Sequence, residues 1–234
     1  VQEKVIFSWS GGKDSTLAVY ELRKAGAYEI VTLLTTITRD YDRICMHGVR
    51  RSLLEQQAEA LGLPLETVFI SKGASNDEYE SQMQQVLTRH LAAGVRSVAF
   101  GDVFLEELKA YRQQRLSTIG MEGMFPLWKR DTGELASAFI SLGFKAVITS
   151  ADSNCLPSGC VGRAFDEQFL TSLPAAVDPC GENGEFHSFV YDGPMFSRPV
   201  LHTVGEVVLR ENGFYYCDLM PHNNGAYVAR ASSP

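Results

Sequence analysis

Short apolar runs alternate with segments of helical period through the first two-thirds of the chain. The runs at 4–9, 30–37, 65–70, 97–102 and 145–150 read as strands, and the periodic segments at 14–26, 47–61, 76–93, 105–116 and 131–142 as helices. Near-continuous apolar strands separated by helices predict an α/β fold, a doubly wound parallel sheet of about five strands covered on both faces. After residue 151 the pattern changes. Residues 151–163 are rich in Ser, Gly, Pro, Asn and Cys and read as loop. A short helix at 165–172 and strand-like runs near 186–191, 204–210 and 213–219 follow, with Glu211-Asn212-Gly213 as a hairpin turn. The expected organisation is therefore a first domain over 1–150 and a smaller α+β C-terminal domain over 151–234. In a parallel sheet ligands gather at the carboxyl ends of the strands, so the loops after each strand carry the candidate chemistry.

Composition narrows the function classes. With 234 residues and 45% hydrophobic content the chain has ample material for a core. A net charge of −7 disfavours sequence-independent nucleic-acid binding, which relies on Lys and Arg at phosphates. No apolar run approaches bilayer length and no signal-like segment opens the chain, so no membrane partner is expected. Five cysteines at irregular spacing do not form a disulfide framework and point to a reducing, cytoplasmic setting.

The sharpest feature is Ser10-Gly11-Gly12-Lys13-Asp14-Ser15, between the first strand and the first helix. Unpaired N–H groups at a helix N-terminus and the helix dipole together favour a bound anion. Two glycines allow the backbone to wrap it, Lys13 adds a point charge, and Ser10 and Ser15 add hydroxyls. The physical reading is a phosphate cradle. It is not a Walker A loop, which needs a glycine where Phe7 stands and Ser or Thr where Asp14 stands. Asp14 beside an anion calls for a divalent cation, so Mg²⁺ is expected with Asp14 as its ligand.

Other groups join it at strand ends. Residues 39–51 carry Arg39, Arg43, Arg50, Arg51 and His47, a set able to clamp a carboxylate or polyphosphate. Gly101-Asp102 ends a strand, where Asp102 either faces the ligand crevice or caps the following helix. Between Asp178 and Ser188 lie Asp178, Glu182, Glu185 and His187; an extended chain there puts Glu185 and His187 on one face, with the carboxylate raising the imidazole pKa. Cys155 and Cys160 lack a second pair and do not read as structural zinc ligands.

The hexapeptide Ser10–Ser15 resembles the PP-loop of the N-type ATP pyrophosphatases. Together with Met46-His47-Gly48-Val49, Gly101-Asp102, Gly162-Arg163 and Glu182-Asn183-Gly184-Glu185, it makes the chain similar, over essentially its whole length, to the diphthine–ammonia ligase family. The Glu182–Glu185 stretch departs from that family's usual pattern through Asn183 and Phe186-His187 and is closer to bacterial relatives. Since bacteria do not make diphthamide, the resemblance fixes the chemistry more closely than the acceptor, a diphthine-like or other small carboxylate. The resemblance implies an adenine nucleotide alpha hydrolase-like fold, ATP and Mg²⁺, and attack of a carboxylate on the α-phosphorus followed by ammonia, forming an amide, AMP and pyrophosphate. It implies that Ser10, Gly11, Gly12, Lys13, Asp14 and Ser15 hold the phosphates. Leu34, Thr35, Gly101 and Asp102 meet the nucleotide, and His47, Arg163, Glu182 and Glu185 present the acceptor. Glu185 or His187 serves as base, with Lys13 and Asp14 completing the catalytic set. The implied partners are ATP, a small or protein-borne carboxylate and ammonia, with a homodimer as the possible assembly. Two alternatives remain: a tRNA-modifying PP-loop enzyme using a reactive cysteine such as Cys45, and a non-catalytic ATP or AMP sensor.

Overall fold

The computed structural model describes residues 2–44 and 47–222. The first strand, β1 (Glu3–Ser8), buries Val5, Ile6 and Phe7 completely and feeds straight into α1 (Lys13–Ala25), which Gly26 ends in a left-handed turn. β2 (Tyr28–Thr38), β3 (Arg43–Ile44), α2 (Arg51–Leu61), β4 (Leu65–Ile70), α3 (Asn76–Ala92), β5 (Ser97–Ala99), α4 (Glu106–Ser117), β6 (Glu122–Met124) and α5 (Thr132–Ser141) follow. β1 lies between β2 and β5, β6 continues beyond β5, and β4 pairs with β2, all in parallel; the two-residue β3 runs antiparallel to the end of β2. The chain thus winds away from β1 first to one side and then to the other. The switch point falls between β1 and β5, where a crevice opens at the carboxyl ends of the strands.

The rest of the chain builds a second sheet. β7 (Lys145–Asp152), α6 (Glu167–Ser172), β8 (Phe186–Asp192), β9 (His202–Leu209) and β10 (Phe214–Pro221) give an antiparallel sheet in the order β8-β7-β10-β9. The expected hairpin turn joins β9 to β10, with Gly213 at φ +80°. The apolar run at 145–150 therefore does not belong to the parallel sheet. It is the second strand of the antiparallel one, and the short Glu122–Met124 stretch provides the outer parallel strand instead. A near-continuous apolar run does not say which sheet will receive a strand when both of its faces are buried.

Two apolar clusters cover the parallel sheet. Ile6, Leu34, Val98 and Phe100 pack with Leu87 of α3 and Leu116 of α4 on one face. Val5, Phe7 and Leu33 pack with α1, α2 and the second sheet, including Phe186 and Phe189, on the other. Val190 of β8 donates its N–H to Gly11 O at 2.9 Å, so the second sheet docks directly on the loop after β1. Among the described residues, no helix is long and apolar enough to cross a membrane.

Candidate functional site

The loop after β1 stands at the switch point. Gly11 adopts φ +77°, a left-handed value that glycine alone takes cheaply, and Gly12 is the extended N-cap of α1 without a side-chain cap. Ser10 Oγ and Ser15 Oγ lie 2.7 Å apart, and Gly12 N–H donates to Ser10 Oγ at 3.3 Å. Lys13 N–H donates to Ser188 Oγ at 3.2 Å. Two of the amides expected to meet an anion thus rest on hydroxyls, groups a phosphate oxygen can displace. Gly101, just past β5, backs this loop. A Cβ there would come within 2.8 Å of Ser15 N and 2.9 Å of Asp14 C, so only glycine lets the β5 end and the α1 N-terminus approach this closely.

Lys13 is buried, and its ammonium donates to Asp14 Oδ2 at 2.8 Å and to the carbonyl of Cys180. It also lies 5.2 Å from the centre of the Phe186 ring. Burial alone would lower its pKa, but Asp14, the Cys180 thiol and Glu182 outweigh that and hold it above its ordinary value.

A cavity of about 570 Å³ opens in front of the loop. Its walls hold Ser10, Gly12, Lys13, Asp14, Ser15, Leu34, Thr35, Gly101, Asp102, His47, Glu182 and His187, bringing together twelve of the residues singled out in the sequence. Gly11 sits behind it, and Arg163 and Glu185 are not in its wall. The Arg163 guanidinium lies over Phe169 and donates to Ser172 Oγ at 3.4 Å.

The 178–188 segment packs against the cradle and lines the same cavity, and its carboxylates divide the work. Asp178 Oδ1 accepts from Cys180 N and Glu182 N, and its Oδ2 accepts from Thr132 Oγ1 at 2.6 Å. Glu185 is buried, with Oε1 accepting from Asp178 N and Asn183 Nδ2 at 3.0 Å each. These two hold the turn in shape. Glu182 alone reaches the cavity, where Val103 N–H donates to its Oε1 at 2.7 Å. Burial, opposed by that N–H and reinforced by Asp14 and Asp102, pushes its pKa up to about 7.

His187 differs from the expectation. Glu185 does not raise its pKa; burial, with His47 and Lys13 nearby, holds it well below the ordinary value. The ring centroids of His47 and His187 are 4.3 Å apart. Like-charged neighbours and a poorly hydrated site both disfavour the imidazolium, so His187 is neutral near pH 7.

Asp102 is not a helix cap. α4 starts after Leu105, and Asp102 pairs with Arg112, Nε to Oδ2 at 2.7 Å. Burial nonetheless raises its pKa, with Arg112 opposing and Asp14 adding to the shift. Nor do the arginines of the 39–51 stretch all point to a ligand. Arg43 and Arg50 both pair with Asp218 of β10, and Arg51 with Asp42 and Glu55. Among the described residues Cys180 is the cysteine in the cavity wall, and burial, partly offset by Lys13, pushes its thiol pKa up, the reverse of an activated nucleophile. Cys45 and Met46 lie outside the described residues.

Among the described residues, no group of three or more His, Cys, Asp or Glu forms a metal cage. A nucleotide-bound Mg²⁺ needs none, because phosphates and water supply most of its ligands with one or two carboxylates. Asp14, partly exposed in the first turn of α1 beside the cradle, with Asp102 and Glu182 on the same cavity, fits that demand.

Sequence reasoning passed over several wall residues. Tyr79, Met83, Phe100 and Arg112 close the α3–α4 end, and Ser188 reaches the cradle from β8. Their only local signal is ordinary core or surface patterning, since they meet through long-range packing. Gln57, behind the loop and not in the wall, did leave a signal: a polar residue on the apolar stripe Leu53, Leu54, Ala58, Leu61 of α2, it was legible as an anomaly.

Comparison with known proteins gives a consistent picture. The family model described as diphthamide synthase N-terminal domain matches residues 3–123, and that described as diphthamide synthase C-terminal domain matches 131–218. The chain is 27% identical over 232 residues to the diphthine–ammonia ligase of Danio rerio, covering 89% of this chain and 90% of that protein. It is 24% identical over 222 residues to the human diphthine–ammonia ligase, covering 86% and 83%. The protein of that name from Schizosaccharomyces pombe is 25% identical over 236 residues, but those span 38% of its length and 90% of this chain.

Proposed function

The chain belongs to the diphthamide synthase family, and on that footing we propose that it is an ATP-dependent ligase that joins ammonia to a carboxylate. The observation that carries this reading is that the Ser10–Ser15 loop and the 178–188 segment line one cavity. Nucleotide phosphates and an acceptor therefore meet in one space.

In this proposal the Ser10, Gly11, Gly12, Lys13 and Ser15 groups bind the β- and γ-phosphates, while Leu34, Thr35, Gly101 and Asp102 border the nucleoside. Asp14 would hold Mg²⁺, whose charge would offset that of the phosphates. A carboxylate oxygen of the acceptor attacks the α-phosphorus as the bond to the bridging oxygen breaks, and pyrophosphate leaves. Ammonia then attacks the acyl carbon, AMP departs, and the nitrogen gives up a proton. Orientation and fixed charge supply most of the acceleration. The C-terminal part, 151–234, presents the acceptor, with His47 and Glu182 at the cavity. Glu182, poised near neutral pH, and the neutral His187 are the groups able to take the proton; Glu185 and Arg163 act by holding the acceptor wall in place. The acceptor is diphthine-like or another small carboxylate, because Asn183 and Phe186-His187 alter the wall where it lies.

The test is a pyrophosphate-release assay over a panel of carboxylic acids with ammonium present. AMP and pyrophosphate in equal amounts, dependent on one acid, support the proposal. ADP and phosphate, or no turnover with any acid despite nucleotide binding, refute it, the latter in favour of a sensor.

A further inference from the structure

Gln57 is fully buried, and the chemistry above gives it no part. Its Oε1 accepts from Trp9 Nε1 at 2.9 Å, and its Nε2 donates to Gly11 O at 2.9 Å and Val190 O at 2.6 Å. An indole N–H is a donor only, so it fixes the amide orientation: oxygen to Trp9, NH₂ to the two carbonyls. Gly11 O receives a second hydrogen bond, from Val190 N at 2.9 Å.

That carbonyl belongs to the same planar peptide group as the Gly12 N–H. In a trans peptide the two point in opposite directions, so holding the oxygen against Gln57 and Val190 aims the N–H the other way, towards the loop interior. The peptide needs holding. With glycine on both sides, no Cβ resists rotation of its plane, and a flip would present the carbonyl oxygen to an incoming anion. The fit on the Gln57 side is close: a Cβ on Gly11 would meet Leu54 Cδ2 at 2.7 Å and Gln57 Oε1 at 2.9 Å.

We propose that Gln57 is a positioning residue for phosphate binding: together with the Val190 N–H it locks the Gly11–Gly12 peptide in the orientation that offers its N–H to the nucleotide. Two donors on one carbonyl also polarise the peptide and strengthen its N–H as a donor. The second sheet then supports the nucleotide site from behind the loop through Val190, besides reaching the cradle through Ser188. The inference rests on reading Ser10–Ser15 as a phosphate cradle.

The experiment is calorimetric titration of wild type, Gln57→Met and Gln57→Glu with Mg·ATP and with AMP. Gln57→Met keeps the length and removes the donors. It is expected to weaken Mg·ATP by about 10- to 100-fold, the range for a lost hydrogen bond near a charged group, and AMP by less than about 3-fold. Equal losses for both ligands indicate general loosening and overturn the inference, as does unchanged Mg·ATP affinity. Should Gln57→Met fail to fold, Gln57→Glu decides. Its protonated carboxyl donates to one carbonyl and its ionised form repels both, so its Mg·ATP affinity relative to wild type rises from about pH 8 to about pH 6. A ratio that does not change with pH overturns the inference. Wild type that binds no Mg·ATP removes the cradle reading itself, a separate failure.

Discussion

At the scale of single residues, Glu182 is the group whose environment most affects pH behaviour. Its folded pKa of about 7 stands above the ordinary carboxylate value, so the folded state binds a proton more tightly than the unfolded chain. Its contribution to stability is therefore full at low pH and is lost as pH rises through the carboxylate range to about 7. Glu182→Gln should flatten that part of the stability–pH curve, measured by urea denaturation at stepped pH. The same substitution should slow amide formation by about 10²-fold or more while carboxylate-dependent pyrophosphate release persists, and should remove a rising limb near pH 7. Equal loss of both partial reactions would take the base role from Glu182. The cradle was legible because its residues are consecutive. Which carboxylate faces the cavity was not, because that depends on left-handed turns at Gly181 and Gly184 and on Asp178 and Glu185 bonding back into the segment.

Elements bring these residues together through a few close approaches. Gly101→Ala puts a methyl against the α1 backbone rather than against a flexible side chain, so β5 and α1 must separate. We expect a loss of about 1–3 kcal/mol in chemical denaturation and weaker nucleotide binding, as for other overpacked positions; a wild-type stability would show that the contact yields freely. Asp218 joins Arg43 and Arg50, tying the segment before α2 to β10. The two guanidinium hydrogen bonds, against some burial, hold its pKa below the ordinary value. That stabilisation is present above the unfolded carboxylate pKa and fades as pH falls through the lower folded value. Asp218→Asn should cost about 1 kcal/mol near neutrality, given its partial exposure, and nothing in strong acid. Most helices and strands were readable from periodicity, and β4 at 65–70 to the residue. Sheet membership was not. Residues 145–150 pattern like a buried parallel strand, while Glu122–Met124 is too short to leave a signal, and only tertiary packing assigns them.

On the scale of the whole molecule, the parallel sheet puts a helix N-terminus at its switch point and the antiparallel sheet closes the site from the other side. Charge follows the same plan: Lys13 is buried and paired with Asp14, and Asp102 and Glu182 line the same cavity, so a polyanion enters most favourably with a divalent cation. The arrangement predicts nucleotide binding that requires Mg²⁺ and both sheets. The most direct test is an equilibrium titration of wild type and Lys13→Met with Mg·ATP. Saturable one-to-one binding that weakens about 10²-fold or more in Lys13→Met is the predicted result. No binding by wild type, or equal affinity in the two proteins, would contradict it.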